Sequence, residues 1–111
     1  MPHVTGMRRA RWLVLIVGAI GVLAAAPRPP VHAVAIDGTS FNPKALTVKV
    51  GDVVVWENKD PFPHTATSRA AGFDSQAIAP GKTFKYTAKT KGEFEYVCLF
   101  HPTMKATLKV E

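Results

Sequence analysis

An all-β fold, a sandwich or barrel of short antiparallel strands, is what this sequence predicts. Two observations carry that expectation. From residue 34 onward the apolar residues recur with a period of two, and helical periodicity is scarce. Turn signals then cut the chain at strand-length intervals, at Gly51-Asp52, Pro80-Gly81 and Lys91-Gly92.

The first 33 residues stand apart from this pattern. Arg8, Arg9 and Arg11 precede an apolar stretch of 15 residues, 12–26 (WLVLIVGAIGVLAAA). A membrane-spanning helix needs about 20 apolar residues, so the stretch fits the hydrophobic region of an export signal. An uncleaved anchor is the other reading. Small residues suited to cleavage occur at Ala24-Ala25-Ala26 and at Val31-His32-Ala33. The second point is preferred, because Pro27 follows the first and the first plausible strand begins near Val34. The expected organisation is a signal peptide over 1–33 and one domain over 34–111, in a periplasmic or otherwise exported protein.

Within the domain, a weak strand is expected near 34–37. Residues 45–50 (ALTVKV) set Leu46, Val48 and Val50 on one face, and 53–57 (VVVWE) reads as a more buried strand. A second weak strand is expected near 64–68, followed by a long excursion over 69–81 that has room for a helical turn. Residues 82–88 place Phe84, Tyr86 and Ala88 together. Residues 93–98 do the same for Phe94, Tyr96 and Cys98, and residues 105–110 put Leu108 and Val110 inside. The segments 58–64 (NKDPFPH) and 99–104 (LFHPTM) read as irregular connections.

Charge argues against a nucleic-acid partner. The net charge of +6 is concentrated in the leader, which holds four arginines and no acidic residue. Residues 34–111 carry ten Lys and Arg against eight Asp and Glu, a net of +2. The single cysteine, Cys98, rules out an intramolecular disulfide. A domain of this size often draws stability from a disulfide or a metal, which leaves the metal.

The domain's imidazole and soft ligands are His64, Cys98, His101 and Met104, and the last three form C-x2-H-x2-M. Cys98 ends a strand in phase with Phe94 and Tyr96, so its sulfur should point inward. Two imidazoles, a thiolate and a weak thioether favour copper. Structural zinc takes four firm ligands, and methionine is a poor one. Hydrolytic zinc would call for a carboxylate base, and none lies within 99–104. A Cys98–His101 nucleophile pair would leave His64 and Met104 without a role.

These motifs resemble the cupredoxins, small type 1 copper proteins of the plastocyanin and amicyanin group. The matching pieces are FNP at 41–43, V-x-x-GD-x-V-x-W at 48–56, PHTATS at 63–68, FDSQAIAPGKTFKYT at 73–87 and EFEYVCLFHPTM at 93–104. The short C-x2-H-x2-M spacing is similar to that of amicyanin. The resemblance implies a Greek-key β-sandwich holding one copper ion, with His64, Cys98 and His101 as ligands and Met104 as axial thioether. It implies a monomeric electron carrier, not an enzyme, that docks transiently on larger redox proteins through an apolar patch around His101. Phe62, Pro63, Phe100 and Pro102 would form that patch, rimmed by Lys59, Arg69 and Lys105. A copper-delivery protein is the alternative, although Met-rich and His-rich tracts are absent. A metal-free interaction module is a third.

Two positions depart from the family pattern. Thr65 stands where many members have Asn linking the two ligand segments. Phe100 stands where short-loop members often have Pro, so it keeps an N–H that could point at the Cys98 sulfur.

Overall fold

The structure, a computed structural model, describes residues 16, 18, 21 and 27–111. Most of the expected signal segment therefore lies outside the described residues. Among the described residues nine strands follow in order: β1 (Val31–Asp37), β2 (Ser40–Asn42), β3 (Ala45–Val48), β4 (Val53–Asn58), β5 (Thr67–Ser68), β6 (Phe73–Asp74), β7 (Thr83–Thr87), β8 (Gly92–Cys98) and β9 (His101–Val110).

The strands form two packed sheets, one ordered β2-β1-β4-β7 and the other β3-β9-β8-β5-β6. The sandwich expectation holds, but the strands are not all antiparallel. β1 runs parallel to β4, and β3 runs parallel to β9. Both parallel pairs join strands distant in the chain, which period-two patterning cannot orient. No helix occurs among the described residues, and the excursion over 69–81 is built from turns and β6 instead. Its first turn closes with the Gly72 N–H donating to the Arg69 carbonyl at 3.2 Å.

Alternation decides what each sheet buries. On β4 the inward residues are Val54, Trp56 and Asn58, and on β8 they are Tyr96 and Cys98. Trp56 meets Tyr96 edge-on at 5.4 Å, and Phe41 meets Tyr96 at 4.6 Å, so three aromatic rings tie the two sheets. Edge-to-face pairs add about 0.5–1.5 kcal/mol each beyond their buried area. Burial also pushes the Tyr96 hydroxyl up to about 12, which the nearby Trp56 N–H only partly offsets. The Tyr96 hydroxyl is neutral at any physiological pH.

Two boundaries differ from expectation. Val50 is 47% exposed rather than inward, because β3 ends at Val48 and the chain turns through Gly51 at φ 95°. β1 begins at Val31, earlier than the expected start near Val34. Val31, His32 and Ala33 pair with Val53, Val54 and Val55. The His32 ring bonds Asp52 at 2.9 Å, and the same carboxylate oxygen accepts the Lys49 N–H at 3.0 Å. His32, placed in the leader on sequence grounds, is thus part of the folded unit.

The Lys49 N–H, then His32, hold the Asp52 carboxyl below its ordinary range near 3.8. A depressed carboxyl stabilises the fold above its unfolded pKa, and that contribution is lost as pH falls through the folded one. Asp52→Asn should therefore melt below the parent protein at neutral pH. The gap should close below about pH 3.8. Thermal melts across pH measure this, and a gap that persists unchanged in acid would refute it.

Candidate metal centre

Three donor side chains predicted from sequence converge at one end of the sandwich. The ligand atoms of His64, Cys98 and His101 all lie within 4.8 Å of one another. The Cys98 sulfur is 3.7 Å from His64 Nδ1 and 3.6 Å from His101 Nδ1. His64 and Cys98 are fully buried, and His101 is half-buried. Met104 is buried as well.

Each donor has a local cause. Cys98 closes β8 on its inward face, so its sulfur follows from the same alternation that buries Tyr96. His64 is fixed by an isolated bridge to Ile78, with N–H to carbonyl bonds of 3.2 and 2.7 Å in the two directions. The expected irregular loop over 99–104 is not a loop. A tight turn at Leu99-Phe100 leads straight into β9 at His101. Cys98 pairs with His101 and Val97 pairs with Lys105, so one step along β8 matches four along β9. Pro102, Thr103 and Met104 are the extra residues, a wide bulge that brings His101 beside Cys98 while the ladder continues below.

The polar support of His64 was missed from sequence. Asp60 Oδ2 lies 2.7 Å from His64 Nε2. A carboxylate only accepts, so Nε2 carries the proton and Nδ1 presents its lone pair toward the sulfur. Asp60 also accepts the N–H groups of Gly38 and Thr39 at 2.8 and 2.9 Å. Burial pushes this carboxyl up. The Thr39 N–H, the His64 ring and the Gly38 N–H more than reverse that and hold it below the usual carboxylate range.

Asn58, fully buried at the end of β4, donates to the carbonyls of Phe62 and Ile78 at 2.8 Å each and accepts the Asp60 N–H at 2.9 Å. Its phase with Val54 and Trp56 was the available signal. For Asp60, the signal was a carboxylate four residues before a candidate imidazole ligand.

Thr65 links the two ligand segments. Its Oγ1 accepts the Leu99 N–H at 2.9 Å, and its own N–H donates to the Cys98 sulfur at 3.3 Å. The backbone donor to the sulfur is therefore Thr65, not Phe100 as the sequence suggested. Phe62, Leu99 and Phe100 are 39%, 56% and 53% exposed, so the two phenylalanines are surface rather than core. The Phe62 ring lies 5.1 Å from the His64 ring and 5.8 Å from that of His101.

A buried thiol between two imidazole nitrogens is a nitrogen–sulfur metal site at the end of a β-sandwich. Asp60 is the carboxylate that hydrolytic zinc would need, but it is occupied by His64 and two N–H groups. It orients a ligand and is not placed as a base. This combination of fold and donors defines a class, β-sandwich domains that carry a transition metal on nitrogen and sulfur ligands.

The cupredoxin-like domain family matches over residues 10–110, and the chain belongs to that family. Its relatives include plastocyanin of Scenedesmus fuscus, 30% identical over 64% of this chain and 86% of that protein. Amicyanin-alpha of Methylorubrum extorquens is 26% identical over 87% of this chain and 85% of that protein. Among solved structures, a copper-containing nitrite reductase from Thermus scotoductus superposes with a TM-score of 0.70 at 29% identity. It covers 78% of this chain, which spans only 23% of that enzyme. The metal that fits this family and this donor set is copper.

Asp60→Asn should weaken metal binding. Losing the partner of a ligating histidine typically costs about 10–100-fold in metal affinity. Competition titration with a chelator of known affinity measures this, and an affinity equal to that of the parent would show that Asp60 does not orient His64.

Proposed function

We propose that this protein is an exported electron carrier that holds one type 1 copper ion through His64, Cys98, His101 and Met104. It passes single electrons between larger redox proteins. The observation that carries the reading is the buried His64–Cys98–His101 group, with donor atoms within 4.8 Å. The copper ion supplies a one-electron Cu(II)/Cu(I) couple.

The chain's own residues supply the rest. Cys98 provides a thiolate in a water-excluded position, where the Thr65 N–H bonds its sulfur. His64 is locked in one tautomer by Asp60. His101 is half-buried, with its ring beside Phe62 near the surface, so it offers the shortest route for an electron. Met104, three residues on and buried, would offer the weak thioether donor of the set. A site fixed by β8, β9 and the His64–Ile78 bridge changes shape little between oxidation states, which favours fast transfer.

Phe62, Leu99 and Phe100, with exposed Pro63 and Pro102, suit brief docking by a monomer on a larger partner. Exposed Lys59, Arg69 and Lys105 favour an acidic partner surface. The basic, apolar leader supports export to the periplasm or beyond. Of its two cleavage points, Ala24-Ala25-Ala26 leaves β1 whole. A cut after Ala33 would remove three β1 pairs and the His32–Asp52 bond. We place processing at the upstream point.

The copper-loaded, oxidised protein should show an intense visible band from thiolate-to-copper charge transfer, and Cys98→Ser should abolish it while the domain stays folded. An intense band that survives in Cys98→Ser would refute the assignment. Met104→Gln should keep copper but lower the reduction potential, because a harder oxygen ligand favours Cu(II). Voltammetry checks this, and an unchanged potential would make Met104 a packing residue.

A further inference from the structure

Thr65 grips the chain on both sides of Cys98. Its N–H reaches the sulfur, and its Oγ1 accepts from Leu99, the residue that opens the turn into His101. What holds the Thr65 hydroxyl is a second question. Thr65 Oγ1 is 3.0 Å from Thr67 Oγ1, and Thr67 Oγ1 is 3.0 Å from Asp74 Oδ1. Thr65 and Thr67 are buried, whereas Asp74 is exposed.

A hydroxyl has one proton, and an ionised carboxylate only accepts. The Thr67 proton therefore goes to Asp74. Thr67 Oγ1 is left with lone pairs, so the Thr65 proton goes to Thr67. The Leu99 N–H then meets a Thr65 oxygen whose proton points away. The bonds run one way, from Leu99 N–H to Thr65, from Thr65 to Thr67, and from Thr67 to Asp74. Bonds in such a chain polarise one another, so each strengthens the next.

We propose that Thr65, Thr67 and Asp74 form a one-way hydrogen-bond relay that positions the ligand turn at 99–101 from the surface of the sandwich. Asp74 sits on β6, at the edge of its sheet, and the turn joins β8 to β9. The relay spans elements that the β8–β9 ladder alone does not connect. These are positioning residues, since none of them donates a ligand side chain. Their effect on electron transfer rests on the copper reading above, but the relay itself does not.

The test uses the full chain, metal-free and copper-loaded, with amide hydrogen exchange at Leu99 as the first readout. Loss of one neutral hydrogen bond should speed that exchange about fivefold to tenfold in Thr65→Val. Thr65→Ser should exchange like the parent. Asp74→Ala, an exposed substitution that also frees the Gln76 N–H bound to the same oxygen at 2.8 Å, should speed Leu99 by about twofold to threefold through the lost orientation of the chain. Asp74→Asn, which keeps an accepting oxygen, should restore it.

The Lys109 amide, lower in the β8–β9 ladder, is the control and should not change. In the copper-loaded protein, electron self-exchange should fall severalfold in Thr65→Val and recover in Thr65→Ser. Unchanged Leu99 exchange in Asp74→Ala would overturn the relay, as would equal acceleration at Leu99 and Lys109. If the parent protein shows no thiolate charge-transfer band, the copper reading fails. Leu99 exchange in the metal-free protein still decides the relay.

Discussion

One sulfur atom governs this structure. Cys98 must bring its Sγ into a dry corner with two imidazole nitrogens at 3.6–3.7 Å, and every nearby element answers to that. β8 delivers the sulfur inward, because alternation that buries Tyr96 also buries Cys98. The wide bulge delivers His101, and the bridge to Ile78 delivers His64. The sheets, with three aromatic rings locked between them, are the rigid frame from which these pieces are hung.

Burying polar groups around such a site is expensive unless each finds a partner. The chain meets this with a compact set of bonds. Asn58 satisfies two carbonyls and one N–H, and Asp60 satisfies two N–H groups and an imidazole. Asp60 reaches the turn between β1 and β2, which belongs to the sheet opposite Cys98. The imidazole of His64 is thereby referenced to both layers of the sandwich. A ligand tied to both layers resists displacement when either one breathes.

Much of this was legible in the residues. The β-sandwich class followed from period-two runs, and the donors at 64, 98 and 101 followed from residue type and spacing. What stayed hidden was long-range. Parallel pairing of β1 with β4 and of β3 with β9 depends on which distant strands meet, and alternation carries no direction. Val31 to Ala33 lay next to an apolar leader, and their strand character shows only through pairing with β4. The bond from Thr65 to the sulfur crosses 33 positions of sequence, while Phe100 is a near neighbour. Local proximity pointed to the wrong donor.

The bulge at Pro102, Thr103 and Met104 has a wider meaning. From Val97 and Lys105 down to Gly92 and Val110 the β8–β9 register runs without interruption. The residues that set donor spacing hang above that register and are not part of it. The segment from Pro102 to Met104 is thus set apart from a fixed ladder. Lengthening the segment between His101 and Lys105 alters its path without shifting a rung below. Changes confined to Pro102 and Thr103, both exposed, would therefore alter the approach to His101 while the ladder below keeps its register.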